Sequence, residues 1–131
     1  MKKLGILNSD ISRVLTYLRH TDLICISDCG LPCPDDVEVI DLALKKDFPS
    51  FLQVLDTILE DFSSEKYFLA TEIIDQNPKM NLEIKERLKD QPSEYMEHEE
   101  FKEKVRDCKV VIRTGEMTPF SNIILQSDCI F

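Results

Sequence analysis

Two histidines are the side chains of this 131-residue chain best suited to proton transfer near neutral pH. His20 precedes the short apolar run Leu23–Ser27, and Asp28 follows it. Side chains at the carboxyl ends of parallel strands face the crevice where ligands bind. His20 and Asp28 can meet within one chain only if the backbone reverses tightly before the strand. Taken alone, a histidine at a helix end is more often a capping or surface residue than a catalyst.

A second group of polar residues lies in the C-terminal third of the chain. His98 opens a predicted helix, and Lys102 follows one turn later on the same face. Residues 113–122 place polar side chains between two apolar strands. This run is either an elaborate turn or part of a site. Together with His20, these residues indicate acid–base chemistry on a small polar ligand.

Several kinds of site are excluded by their missing motifs. The sequence has only three glycines and contains no GxGxxG, GxxxxGK[ST], GxSxG or HExxH pattern. Cys25, Cys29 and Cys33 are spaced by four, but the run crosses from a strand into a Pro-rich loop, and neither histidine has a cysteine at zinc-site spacing. We therefore predict no metal and no cofactor, with the five cysteines as reduced, space-filling thiols. A redox or metal sensor built on those three cysteines is the alternative.

Composition narrows the partners and the location. The formal net charge is −9, and basic runs such as Lys45-Lys46 are short, so we expect no nucleic-acid partner. No apolar run approaches the ~20 residues of a membrane span, so we expect no membrane partner. The N-terminal segment lacks the apolar core of a signal peptide. These features predict a cytoplasmic protein.

The elements that must position these residues alternate between helix and strand. Helices are predicted from Asn8 to near His20, after Ser50, after Asn77-Pro78 and over residues 97–107. Strands are predicted at residues 23–27, 37–40, 66–70, 93–96, 109–112 and 122–125. This order predicts an α/β fold in one domain, residues 1–131. We expect a three-layer sandwich in which a mixed, mostly parallel sheet is flanked by helices.

A set of short motifs resembles the D-ribose pyranase family. The motifs are Leu7-Asn8-Ser9-Asp10-Ile11, Leu18-x-His20-Thr21-Asp22, Asp28-x-Gly30-Leu31-Pro32, Ile40-Asp41-Leu42-Ala43, Pro49-Ser50-Phe51-x-Gln53-Val54-Leu55, Glu72-Ile73, Asn77-Pro78, His98-Glu99-x-Phe101-Lys102 and Ile112-Arg113-Thr114-Gly115-Glu116-x-Thr118-Pro119-x-Ser121-Asn122-Ile123-Ile124-Leu125. Each motif is weak by itself. Their collinear order over nearly the whole chain is specific.

The resemblance implies an isomerase that interconverts the pyranose and furanose forms of D-ribose by acid–base ring opening and closure. It implies a homo-oligomer, typically a decamer of two stacked pentamers, with sites between neighbouring subunits. It also implies His20 as proton donor, with Asp28 orienting it or holding a sugar hydroxyl. The implied sugar-binding residues are Asp28, His98, Lys102, Phe120, Ser121 and Asn122.

Two positions depart from the family pattern, and two other functions stay open. Phe120 stands where the family usually has tyrosine, which removes a hydroxyl but keeps the ring face. Arg19 stands where glycine is common. One alternative is an L-fucose-type mutarotase of the same superfamily, whose members tend to carry arginine at the position of His98. The other is a non-catalytic ribose-binding accessory protein, a role that the missing tyrosine hydroxyl would suit.

Overall fold

The apolar runs of the sequence become six strands and five helices in a computed structural model that describes residues 1–131. The strands are β1 (Leu23–Ser27), β2 (Glu38–Asp41), β3 (Ser64–Ala70), β4 (Ser93–Met96), β5 (Cys108–Arg113) and β6 (Ile123–Ser127). The helices are α1 (Ser9–Tyr17), α2 (Phe51–Leu59), α3 (Ile73–Gln76), α4 (Pro78–Arg87) and α5 (His98–Val105).

All six strands join one sheet, in the order β2-β5-β1-β6-β3-β4. β6 runs antiparallel to β1 and β3, whereas the other neighbouring pairs are parallel. Five strands therefore point the same way. Their carboxyl ends and the start of β6 lie together, and we call this the carboxyl end of the sheet. The opposite side, the amino end, gathers the starts of β1 and β3 and the finish of β6.

Helices cover both faces of the sheet. α1, α2 and α4 pack on one face through buried apolar side chains such as Val14, Leu55 and Ile84. α5 covers the other face through Phe101 and Val105. β1 is buried along its whole length, which explains why its sequence is a continuous apolar run rather than an alternating one. The predicted three-layer α/β architecture is confirmed.

Three helices begin where polar capping residues predict. The Asn8 Oδ1 accepts a hydrogen bond from the Ile11 N–H at 3.0 Å. Ser50 and Gln53 form a reciprocal capping box at the start of α2. Asn77 caps α4, and Pro78 occupies its first turn. These caps satisfy backbone N–H groups that no helical carbonyl reaches.

One local prediction needs correction, and two local features could not be predicted. α1 ends at Tyr17 rather than near His20, because the Arg19 guanidinium binds the Tyr17 and Leu18 carbonyls and Thr21 takes a left-handed conformation (φ 69°). The one-turn helix α3 has no apolar periodicity long enough to be predicted from sequence. Leu82 in α4 is 61% exposed, since Met80 and Ile84 form the buried face of this helix.

All five cysteines are free, and two of them pack as apolar side chains. Cys25 and Cys108 are buried in the α5-side core, where burial raises the pKa of both thiols, that of Cys108 to about 12. Such thiols are poor nucleophiles and poor metal ligands at neutral pH. Among the helices, none has both the length and the apolar character that crossing a membrane requires.

Candidate active site

Loops at the carboxyl end of the sheet enclose a cavity of about 390 Å³. They come from the segment after β1, the start of α5 and the segment that leads into β6. The lining residues are Asp28, Cys29, Gly30, Leu31, Pro32, His98, Glu116, Met117, Thr118, Pro119, Phe120 and Asn122. Four predicted site residues, Asp28, His98, Phe120 and Asn122, are thus brought together from three distant parts of the sequence.

Asp28 and Asn122 are joined by two reciprocal hydrogen bonds in the wall of this cavity. The Asp28 backbone N–H donates to Asn122 Oδ1 at 2.8 Å, and Asn122 Nδ2 donates to Asp28 Oδ2 at 3.0 Å. The Gly30 N–H donates to the other carboxylate oxygen, Asp28 Oδ1, at 2.9 Å. This reciprocal pair is possible because β1 and β6 are antiparallel neighbours, so the end of one meets the start of the other.

The electrostatic state of Asp28 reflects two opposed effects. Burial raises the pKa of its carboxyl above the ordinary 3.8, while the hydrogen bonds from Gly30 and Asn122 and the nearby His98 lower it. The result is a carboxylate with a higher proton affinity than a surface aspartate. Such a group can accept hydrogen bonds from hydroxyls and can also receive a proton.

The backbone and two aromatic rings fix His98 in place. Its N–H, at the start of α5, donates to the Glu72 carboxylate at 2.9 Å. Its ring meets Phe120 edge-on, with centroids 5.0 Å apart, and stacks on Phe101 at 6.5 Å. The Nδ1 atom is buried and has no hydrogen-bond partner in the chain. His98 also lines the cavity, so an unsatisfied buried nitrogen lies on a side chain that borders the site.

The segment after β5 is locked by backbone contacts. A Cβ on Gly115 would lie 2.6 Å from the Lys45 carbonyl oxygen and the Phe48 nitrogen, so only glycine fits. Glu116 is 7% exposed, and its Oε1 accepts from the Phe51 N–H at 3.0 Å, at the start of α2. Glu116 lines the cavity and was not predicted as a site residue. The signals in the sequence were its place in the polar run 113–122 and in the last motif of the family resemblance.

Asn77 anchors the turn that carries Phe120. Its Nδ2 donates to the Pro119 carbonyl at 2.9 Å and to Ser121 Oγ at 3.1 Å. Ser121 Oγ also lies 2.7 Å from Thr118 Oγ1 and is fully buried. Phe120 takes a left-handed conformation (φ 57°), which is uncommon for a bulky residue. The turn holds Phe120 in this strained conformation, with its ring on the cavity.

Two predicted sugar contacts do not line this cavity. The Ser121 side chain is occupied within the turn, so it supports Phe120 and Asn122 rather than facing a ligand. Lys102 lies one turn after His98 as expected, but its Nζ pairs with Glu99 at 2.6 Å. That ion pair is exposed on the Glu99 side, so its energetic cost of separation is small.

His20 lies at the opposite end of the sheet. The five residues of β1, about 17 Å of strand, separate it from Asp28. Its Nε2 is 3.1 Å from Glu65 Oε2, and Gln126 Nε2 donates to Glu65 Oε1. Hydrogen bonds from Gln126 and His20 hold the pKa of Glu65 below its ordinary range. Within one chain, therefore, Asp28 is too far away to orient His20, and the other expected role of Asp28, holding a sugar hydroxyl, stays a prediction.

A larger cavity, about 700 Å³, lies between the N-terminal segment and α2. Half of its 14 lining residues are hydrophobic, including Ile6, Ile11, Val54 and Ile58. It contains no histidine, and Asp61 is engaged by the Ile6 N–H. We therefore place the chemistry at the smaller cavity, which combines a carboxylate, an amide and an imidazole.

Comparison with known proteins gives full-length matches. A model of the RbsD / FucU transport protein family matches residues 1–130. The D-ribose pyranase of Bacillus cytotoxicus is 53% identical over 131 residues, covering 100% of both chains. The D-ribose pyranase of Lactiplantibacillus plantarum is 49% identical, again over 100% of both chains.

Solved structures agree with this similarity. Bacillus subtilis RbsD, solved in complex with D-ribose, matches with a TM-score of 0.98 and 45% identity over 100% of both chains. FucU from Bifidobacterium longum matches with a TM-score of 0.78 and 22% identity, over 95% of this chain and 96% of that one. The second match shows a shared fold.

Proposed function

The chain belongs to the RbsD / FucU transport protein family, and we propose that it is a D-ribose pyranase, an isomerase that interconverts the pyranose and furanose forms of D-ribose. One observation carries the proposal. The carboxyl-end cavity, with Asp28, Asn122 and the unpartnered His98 imidazole, occurs in a chain that matches ribose-bound RbsD over its full length.

Ribose is a better substrate candidate than L-fucose. The relatives named D-ribose pyranase are 49% and 53% identical to this chain. The fucose mutarotase of Streptococcus pneumoniae, solved with L-fucose, is 21% identical and supports the fold alone. Position 98 is also histidine here, whereas the fucose-type relatives tend to have arginine there.

The proposed binding mode relies on hydrogen bonds to an uncharged sugar. Asp28 accepts from sugar hydroxyls, while His98 and Asn122 can donate or accept, and the Phe120 ring offers an apolar face to the sugar carbons. A volume of about 390 Å³ is within the range of ~300–1,000 Å³ typical of small-molecule sites. We keep Lys102 as a further contact once its pair with Glu99 opens.

The proposed reaction needs two proton transfers and no cofactor. Ring opening breaks the bond between the anomeric carbon and the ring oxygen, which takes a proton, while the anomeric hydroxyl loses one. The open-chain aldehyde then closes through a different hydroxyl by the reverse transfers. We assign His20 as the proton donor to the ring oxygen and Asp28 as the acceptor, because burial increases its basicity. General acid–base catalysis of this kind gives ~10²–10⁴ in rate.

This assignment requires two copies of the chain at each site. His20 and the cavity lie at opposite ends of the same sheet, so the His20 that reaches a given cavity must come from a neighbouring subunit. Half of the His20 side chain surface is exposed, which leaves the imidazole free to enter such an interface. A decamer of two stacked pentamers is the assembly that the family resemblance implies. The cytoplasm, the predicted location, is where such an enzyme would meet ribose after its uptake.

The test is a saturation-transfer NMR measurement of exchange between the anomeric protons of pyranose and furanose ribose. We expect catalytic amounts of protein to raise the exchange rate above the buffer rate, with L-fucose anomers exchanged much less. Binding of ribose with exchange left at the buffer rate would support the accessory-protein alternative instead. Faster exchange of L-fucose than of ribose would support the mutarotase alternative.

A further inference from the structure

The amino end of the sheet brings together three metal-ligating side chains that are far apart in sequence. His20 precedes β1, Glu65 lies in β3, and Asp128 follows β6. One ligand atom of each lies within 4.8 Å of the other two. The sequence indicated no metal here because local spacing reveals only ligands that are close in the chain. These three become neighbours only when β6 pairs with both β1 and β3.

The observed distances suit a zinc ion. Nitrogen and carboxylate ligands about 2.1 Å from Zn²⁺ at tetrahedral angles are about 3.4 Å from one another. His20 Nε2 and Glu65 Oε2 are already 3.1 Å apart. Asp128 Oδ1 accepts from the Cys129 N–H, which leaves Oδ2 without a partner in the chain. With a carboxylate oxygen within 4.8 Å of the ligand atoms of His20 and Glu65, Asp128 would complete three protein ligands and leave a fourth position for water.

The backbone around these three residues is held in place before any ion arrives. The Thr21 N–H donates to the Ser127 carbonyl at 2.9 Å, and the Ser127 N–H donates to the Asp22 carbonyl at 2.8 Å. The Asp128 N–H donates to the Ser63 carbonyl at 3.0 Å. Gln126 holds the second oxygen of Glu65. Such outer contacts orient ligands and strengthen metal binding.

Charge also favours a divalent cation. Two carboxylates and a neutral imidazole give the cluster a charge of about −2 when His20 is unprotonated. No lysine or arginine pairs with Glu65 or Asp128, and the neighbouring Arg19 is turned onto the carbonyls that end α1. An imidazole in the ligand set favours Zn²⁺ over Mg²⁺ or Ca²⁺, which prefer oxygen ligands alone.

We propose that His20, Glu65 and Asp128 form an inhibitory Zn²⁺ site. Zinc bound to Nε2 of His20 takes the place of one of the two ring protons of the imidazolium, so His20 of an occupied subunit cannot reach the protonated form that donates to the sugar. The inhibition rests on the proposed isomerase function, whereas the binding does not. Zinc is thus a reversible inhibitor rather than a cofactor.

Binding is tested first, on the purified full-length protein, with Zn²⁺ in competition with a chromogenic chelator. We expect one ion per chain. Asp128→Asn should weaken the affinity at least ~10-fold, since it removes a ligand oxygen and a charge. The matched control is Asp36→Asn, which loses the same charge in an exposed loop and should bind zinc as the unmodified protein does. Co²⁺ should give a tetrahedral visible spectrum without a thiolate charge-transfer band.

Inhibition is tested in the ribose exchange measurement. Zn²⁺ should slow catalysed exchange, and a chelator should restore it. Asp128→Asn should keep its basal rate within about twofold and need at least ~10-fold more zinc for the same inhibition. Equal zinc affinity in Asp128→Asn and the unmodified protein, or a thiolate band with Co²⁺, would overturn the site. One ion bound through Asp128 with exchange unaffected would overturn the inhibition alone.

Discussion

The two ends of the sheet differ in how firmly they hold their polar side chains. At the carboxyl end, Asp28 and Asn122 are bonded reciprocally, and Asn77 fixes the strained turn at Phe120. At the amino end, His20 is half exposed and has one side-chain partner, Glu65. The first end is built like a binding site with fixed donors and acceptors. The second presents a titratable group outward.

This difference suggests a division of labour between the ends. Binding a sugar benefits from preorganised partners, because fewer groups must be ordered when the ligand arrives. A proton donor must reach the ring oxygen of the sugar, and it can do so from outside the pocket that binds the sugar hydroxyls. A single sheet cannot bring its own two ends together, so the proposed active site needs a second copy of the chain.

His20→Ala gives the largest effect expected from this division. Removing the proposed proton donor should reduce catalysed ribose exchange by ~10²–10⁴, to near the buffer rate. Ribose affinity should stay within a few-fold, because the carboxyl-end cavity is unchanged. Exchange is measured by saturation-transfer NMR and affinity by calorimetry. A His20→Ala protein with full exchange activity would show that the amino end takes no part in the reaction.

Asp28→Asn should have the next largest effect, on binding as well as rate. The variant keeps the shape of the side chain but loses the charged acceptor, which is worth about 1.5–3 kcal/mol, or ~10- to 150-fold in ribose affinity. Calorimetric titration with ribose provides the measurement. Mixed oligomers of His20→Ala and Asp28→Asn chains should regain part of the activity, since some sites would combine intact halves. No recovery in demonstrably mixed oligomers would contradict a site shared between subunits.

The titration of Asp28 should change the free energy of unfolding and the ribose affinity in opposite directions. Its folded-state pKa is raised above 3.8 by burial, so the folded protein binds this proton more tightly than the unfolded chain does. The resulting stability is fully present when the pH is below the pKa of Asp28 in the unfolded chain. It is lost as the pH rises through the pKa of Asp28 in the folded protein. The free energy of unfolding, relative to Asp28→Asn, should therefore fall over that range while ribose affinity rises. If the free energy of unfolding and the ribose affinity both rose or both fell with pH, Asp28 would not be the buried carboxylate that binds the sugar.

The sequence predicted the carboxyl end better than the amino end. Leu23–Ser27 and Ser93–Met96 are strands with the predicted bounds, since short apolar runs between turn residues are strong local patterns. Asp28, His98 and Asn122 were predicted from motifs, and they meet because strand ends meet. Glu116 and the Glu65–Asp128 pair escaped prediction, because their roles depend on strand order, which no local pattern encodes.

Glu65→Gln tests whether the amino end positions His20. The Glu65 carboxylate accepts from both His20 and Gln126, so the amide should leave the imidazole less well oriented. We expect a few-fold fall in kcat with KM unchanged, since the sugar contacts lie at the other end of the sheet. A matched control is Glu94→Gln on the edge strand β4, which breaks the exposed ion pair between Glu94 and Lys66. A rise in KM without loss of kcat would place Glu65 at the sugar instead.

Phe120→Tyr should give the smallest change, and a gain. The turn already holds this residue at φ 57° with its ring on the cavity, so tyrosine would add a hydroxyl without a new backbone cost. One added hydrogen bond to the sugar is worth about 0.5–1.5 kcal/mol, or ~2- to 13-fold tighter binding. Phe120→Leu is the control, because it loses the edge-on contact with the His98 ring and should bind more weakly. Unchanged or weaker binding by the tyrosine variant would mean that the Phe120 ring edge does not face the sugar hydroxyls. The carboxyl end would then grip ribose through Asp28, His98 and Asn122 alone.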